Sequence, residues 1–162
     1  WAPLPTAPKM RTVLPAADQQ PAVWRYTTTA PAQNWFQPSF DCSSWAQGKS
    51  GFGSAATPGA IIGTTWNTPD IWLRREVDLN ESNCRGLQAW VHHDEDVEVY
   101  VNGVPAFRAR GFVTGYDAFP LNGPGKDAFR PGKNLIAVHC RQTGGGQYID
   151  LGLSTVEKNQ HF

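Results

Sequence analysis

The sequence predicts an all-β fold, an antiparallel β-sandwich of jelly-roll type, and three observations carry that expectation. The 162 residues include 16 glycines and 13 prolines against a charged fraction of only 17%, a balance that supplies many turns and few long helices. Segments of alternating apolar and polar residues recur roughly every ten residues, enough for about eight or nine strands, with no sustained helical period. Asn102-Gly103 stands between two such segments, and a type I′ hairpin turn needs positive φ at both of its central residues.

Taken in order, residues 1–21 carry five prolines among several alanines and read as a Pro-rich linker, or as a tail lying along the domain. A chain that starts at Trp1 rather than Met suits a module excised or processed from something longer. The sandwich is assigned to residues 22–156, and residues 157–162 form a C-terminal tail. Val23–Thr29, rich in β-branched and aromatic residues, is the first strand. Asp41 accepts backbone N–H groups from the residues after it, making a short turn that tucks Phe40 and Trp45 inward. Ile61–Trp66 is a second strand and Ile71–Leu79 a third. In the third, Ile71, Leu73, Val77 and Leu79 share one face, and Trp72, Arg74, Glu76 and Asp78 the other. Arg75 falls on the apolar face, so it forms a core ion pair or contacts a ligand. Leu87–His93, Val97–Val101 and Val104–Arg110 alternate in the same way, the last two folding back at Asn102-Gly103. A strand follows within Gly111–Leu121, then a helical turn at Asp127–Asn134 stopped by Pro131 and Gly132. Asn134–Gln142 and Gln147–Leu153 are the closing strands, joined across three glycines.

Several function classes are excluded early. Fourteen basic and fourteen acidic residues give a formal net charge of zero and a pI near 7.1, which leaves no electrostatic footprint for nucleic acid or an anionic membrane. No run approaches the roughly 18 apolar residues of a membrane helix. Cys42, Cys84 and Cys140 are odd in number and lack C-x-x-C spacing, so a structural zinc site is not expected, and the three are expected to be free. The glycine-rich stretch Lys49–Gly59 lacks Gly-Lys-Ser/Thr and a following helix, so it is no phosphate-binding loop.

Four segments, Phe40-Asp-Cys-Ser-Ser-Trp45, Asp70-Ile-Trp-Leu-Arg-Arg-Glu76, Glu98-Val-Tyr-Val-Asn-Gly103 and Gly132-Lys-Asn-Leu-Ile-Ala-Val138, resemble in order and spacing the galactose-binding-domain-like jelly roll. The likeness is to the N-terminal sugar-binding domain of β-galactosidase and β-glucuronidase type glycoside hydrolases, over residues 23–155. The resemblance implies a non-catalytic accessory module of a secreted or periplasmic carbohydrate-active protein. Its expected partners are a carbohydrate and a neighbouring catalytic domain in the parent chain; the alternative is a purely structural domain that packs on that neighbour and binds no glycan. Modules of the fold often carry a structural calcium, for which Asp94, Glu95, Asp96 or Asp150 would be the oxygen ligands. No other cofactor is expected.

The densest polar series is His92-His-Asp-Glu-Asp96. Adjacent His92 and His93 point to opposite faces of a strand and cannot share one ion in ordinary geometry. Asp94 and Glu95 are carboxylates of the kind glycosidases use, but nothing sets them across a cleft from one another. Sugar binding needs an aromatic ring for the C–H face and amide or carboxylate groups for the hydroxyls, none of which requires net charge. The expected ligand-binding set is Trp66, Asp70, Trp72, His92, Asp94, Glu95, His139, Gln142, Gln147 and Tyr148, with the two tryptophans alternatively in the core. The set forms one pocket if the loop before Ile71, the triglycine loop and the acidic turn close the same end of the sandwich.

Overall fold

The structure is a computed structural model that describes residues 2–4 and 9–157. Trp1, residues 5–8 and the tail from 158 to 162 lie outside the described residues. The elements are β1 (Met10–Leu14), β2 (Val23–Thr27), β3 (Ala46–Lys49), β4 (Phe52–Gly53), β5 (Thr64–Thr65), β6 (Asp70–Leu79), β7 (Gln88–Asp94), β8 (Asp96–Val101), β9 (Val104–Ala109), β10 (Asp117–Pro120), α1 (Gly123–Asp127), β11 (Gly132–Arg141) and β12 (Tyr148–Val156). They form two facing sheets. One runs β10-β7-β12-β4-β5, with β1 also on β12, and the other runs β3-β2-β6-β11-β8-β9. All pairs are antiparallel except the short β4/β5 pair. This is the expected antiparallel β-sandwich.

The core between the sheets comes from the expected alternation. Ile71, Leu73, Val77 and Leu79 of β6, Val97, Val99 and Val101 of β8, Ile136, Val138 and Cys140 of β11, and Ile149, Leu151 and Leu153 of β12 are all buried. Each such aliphatic side chain contributes about 1.5–3 kcal/mol on leaving water. The hairpin turns where expected: Asn102 and Gly103 have φ of 51° and 83°, and Val101 pairs with Val104. Asn102 also donates from Nδ2 to the Ala128 carbonyl and to Asn134 Oδ1, and accepts the Leu135 N–H. The turn is thereby pinned to the start of β11. All three cysteines are free, with Cys84 and Cys140 buried.

Five local expectations are corrected. Met10–Leu14, within the stretch read as linker or tail, pairs along β12 from Met10↔Val156 to Leu14↔Leu153, and Ala16 and Ala17 are buried behind it. The second expected strand shrinks to Thr64–Thr65, because the Gly63 and Thr64 N–H groups both turn onto the Gly51 carbonyl. The Gly111–Leu121 strand is confined to β10. The helical turn lies earlier, at Gly123–Asp127, where Asn122 Oδ1 accepts the Gly125 N–H at 2.8 Å and a proline occupies the first turn, a favoured N-terminus. Asp41 does make its turn, accepting the Ser43 N–H at 2.9 Å, but Phe40 and Trp45 stay only half-buried.

The arginine pair also departs from expectation. Arg75 points to the core side, 5.9 Å from the Trp24 ring centre, but has no carboxylate within salt-bridge reach among the described residues, and its Nη1 has no acceptor. Arg74 is the more buried, 4% exposed. On the outer face of its sheet it donates Nη1 to the carbonyls of Trp35 and Gln37, and Nη2 to that of Phe40. The segment 30–45 is thereby laid over the sheet.

Candidate functional site

Strand register decides what meets what. Arg141 pairs with both Asp70 and Asp96, and Tyr148 pairs with both Asp94 and Gly53. The start of β6, the β7–β8 turn, the triglycine loop and the loop after Gly53 therefore close one end of the sandwich together. The ten residues expected to bind ligand divide there into three groups.

Four are structural. Trp66 is 1% exposed and donates Nε1–H to Thr68 Oγ1, so it is core and not a pocket wall. Gln147 is buried, donates from Nε2 to the Thr68 carbonyl, and exchanges both backbone groups with Thr57 Oγ1. Tyr148 is fully buried beside Tyr116 and Asp150: its hydroxyl lies 2.6 Å from that of Tyr116 and 2.9 Å from the Ile61 carbonyl, while the Tyr116 hydroxyl donates to Asp150 Oδ2. Asp150 also accepts the Ala17 and Leu151 N–H groups. Burial and then the Asp150 charge push both tyrosine hydroxyls far above their ordinary range. His92 packs against Tyr116 and Tyr148 with ring centres 5.5 and 4.6 Å away, and neither ring nitrogen has a partner.

Burial pushes His92 below the ordinary histidine value of 6.5. Between that lowered value and 6.5 the unfolded chain binds the proton and the folded chain does not, so stability rises with pH through this window and is lost on acidification. Asp94 and Asp150, raised by burial from 3.8, act with the opposite sign, since the folded chain holds their protons longer as pH climbs. Through the His92 contribution the melting temperature is therefore expected to fall as pH drops below about 6.5, and His92→Phe to flatten that slope. Equal slopes in thermal melts of the two proteins would contradict the assignment.

Three others meet on the outer face of the second sheet. His139 Nε2 lies 2.8 Å from Asp70 Oδ1, and its ring stacks on Trp72 at 4.8 Å and 6°. Glu98 Oε2 stands 4.0 Å from His139 Nδ1, and Glu98 Oε1 lies 3.5 Å from Arg108. A cavity of about 300 Å³ opens there, lined by Asp96, Glu98, Arg108, Arg110, His139 and Arg141. Sequence reasoning missed Glu98 and the three arginines. The signal was present, because Asp96, Glu98 and Tyr100 alternate with three buried valines and so must share the face of His139 and Arg141.

The remaining three, Asp94, Glu95 and Gln142, belong to the end loops. A cavity of about 280 Å³ is lined by Pro58, Asp94, Glu95, Phe112, Val113, Thr114 and Gly144–Gly146. Asp94 is 6% exposed and its carboxylate has no donor among the hydrogen bonds of the described residues. Gly146 makes room for it, since a Cβ at that position would stand 2.5 Å from Asp94 Oδ2. Burial, and then the neighbouring Glu95 charge, pushes the Asp94 carboxyl up. Glu95 Oε2 accepts from Thr143 Oγ1 at 2.7 Å. Gln142 shapes the loop instead of facing the cavity: its Oε1 accepts the Gly144 N–H and its Nε2 donates to the Gly145 carbonyl. Phe112, 63% exposed, supplies the aromatic wall that the sequence reading gave to the tryptophans.

The carboxylates considered for calcium do not converge. Asp94 and Glu95 line the end cavity, Asp96 accepts the Gly111 N–H, and Asp150 lies under the two tyrosines. Among the described residues no group of three or more His, Cys, Asp or Glu comes together to hold a metal ion. His93 turns away from His92, its Nδ1 2.7 Å from the Glu95 carbonyl.

No family model matches the chain and no curated protein does, but solved structures do. The chain is similar to a β-glucuronidase from glycoside hydrolase family 2, with 14% identity over 94% of this chain and 18% of that one and a TM-score of 0.59. It is also similar to a glycosyl hydrolase family 2 member from Bacteroides cellulosilyticus (22% identity, 81% and 20% covered, TM-score 0.54), and to a β-glycosidase from Bacteroides vulgatus (14%, 90% and 20%, TM-score 0.56). At these identities the likeness is one of fold. The chain spans about a fifth of the length of these enzymes and has the fold of a single domain within them.

Proposed function

We propose that this chain is a non-catalytic, carbohydrate-binding accessory module of a larger glycoside hydrolase, secreted or periplasmic, whose catalytic domain neighbours it in the same parent chain. One observation carries the reading: a buried carboxylate without a donor, Asp94, opens into a cavity walled by the exposed ring of Phe112. A sugar placed there lays a C–H face on Phe112 and offers hydroxyl donors to Asp94 and Glu95, as sugar sites require. Catalysis has less support. Asp94 and Glu95 are consecutive in the chain, whereas a glycosidase sets two carboxyl groups across the scissile bond from one another.

The test is calorimetric titration of the chain with mono- and oligosaccharides. Phe112→Ala is expected to weaken saturable binding by about tenfold, or about 1.4 kcal/mol, and Trp72→Ala to leave it unchanged. Loss in Trp72→Ala with retention in Phe112→Ala would move the site to the face around His139. The purely structural alternative draws support from the burial of Trp66, His92, Gln147 and Tyr148. It predicts no binding at all across a broad panel.

A further inference from the structure

The lining of the end cavity is unbalanced in charge. It holds two carboxylates and no basic side chain, while the nearby arginines Arg110 and Arg141 line the separate cavity on the sheet face. An enclosed carboxylate such as Asp94, with no hydrogen-bond donor and no basic side chain in the cavity lining, is costly, and its cost is relieved by a ligand that brings donors and positive charge. A hydroxyl brings one donor and no charge. An ammonium group brings three donors and a full positive charge.

The rest of the lining selects among cations. Calcium takes about 6–8 oxygen ligands, whereas the side chains here offer two consecutive carboxylates beside apolar walls of Pro58, Phe112 and Val113, and among the described residues no three His, Cys, Asp or Glu converge. Those walls suit an organic cation with apolar C–H faces, and the exposed Phe112 ring adds cation–π attraction to stacking. The volume, about 280 Å³, sits at the lower edge of the roughly 300–1,000 Å³ range of small-ligand sites, enough for a single ring. We propose that the cavity takes one sugar unit bearing a free, protonated amine, an unacetylated amino sugar, with the ammonium on Asp94 and Glu95 and a C–H face on Phe112. The proposal rests on the sugar-binding reading above and specifies its ligand.

The experiment compares glucosamine, N-acetylglucosamine and glucose by titration calorimetry, on the chain and on Asp94→Asn, with the fold of each protein checked by circular dichroism. Glucosamine is expected to bind at least about tenfold more tightly than the two uncharged sugars. The preference is expected to disappear in Asp94→Asn, and Glu95→Gln, on the more open rim, is expected to reduce it. Glucose or N-acetylglucosamine binding as tightly as glucosamine would overturn the amine assignment and leave sugar binding standing. Saturable calcium binding abolished by Asp94→Asn would also overturn it, in favour of a metal. Failure of every sugar, oligosaccharides included, to bind the folded chain would remove both readings at once.

Discussion

Replacing Trp66 with alanine is expected to destabilise the fold by about 3–5 kcal/mol, the range for truncating a buried large aromatic side chain, and to leave the end cavity intact. Trp66 is enclosed by the core, and its backbone N–H bonds the Gly53 carbonyl at 3.0 Å. Truncation therefore opens a void beneath the end loops and does not remove a wall facing solvent. Against a total stability of about 5–15 kcal/mol for a domain, this is a large fraction. Urea denaturation monitored by fluorescence or circular dichroism measures it. A loss below about 1 kcal/mol, together with lost sugar binding, would show that Trp66 faces a ligand after all.

Arg74→Ala is expected to cost a comparable amount, about 3–5 kcal/mol, because it removes a buried, charged donor serving three carbonyls at once. The carbonyls of Trp35, Gln37 and Phe40 are left without that donor, and the Phe40 ring loses a guanidinium 5.4 Å from its centre. The released segment should then be cut first by protease, within residues 30–45. Arg74→Lys keeps the charge but loses the planar fork, so it should fall between. Denaturation midpoints for the three proteins, read with limited proteolysis, decide the matter. Wild-type stability in Arg74→Ala would mean that the segment is held by its other contacts, such as the stacking of Phe36 on Tyr100 at 4.3 Å.

The elements legible in the sequence are those whose burial is decided along one strand. β6 and β8 alternate largely with period two, β11 and β12 carry closely spaced apolar residues that stay buried on both faces, and the Asn-Gly turn sets one register outright. Elements decided by a distant partner were less legible. Met10–Leu14 sits among prolines and becomes a strand only because the edge of β12 accepts it. The Arg74–Arg75 pair shows the same division. Alternation placed Arg75 on the core side correctly, but the burial of Arg74 comes from a loop more than thirty residues earlier in the chain. The cap of α1 is the reverse case, a local signal present in Asn122-Gly-Pro and passed over.

The location of the candidate site was legible, its membership less so. The expectation that the acidic turn and the triglycine loop close one end together is met by the register of β7, β11 and β12. Trp66 and Trp72 look alike in sequence, yet one enters the core and the other stacks on His139, because only the three-dimensional path of the loop assigns their faces. Phe112 drew no notice, being one apolar residue after a glycine in a stretch without clear periodicity. Its exposure follows from Val113, whose N–H bonds the His93 carbonyl and fixes the loop at the cavity mouth.

The central claim is that the end cavity, and not the sheet face, receives a sugar, and mapping amide chemical shifts during a saccharide titration tests it most directly. The account predicts saturating shifts at Asp94, Phe112–Thr114 and Gly144–Gly146, with Trp72 and His139 unmoved. Shifts confined to Trp72, Glu98 and His139, or none at saturating ligand across the panel, would contradict it.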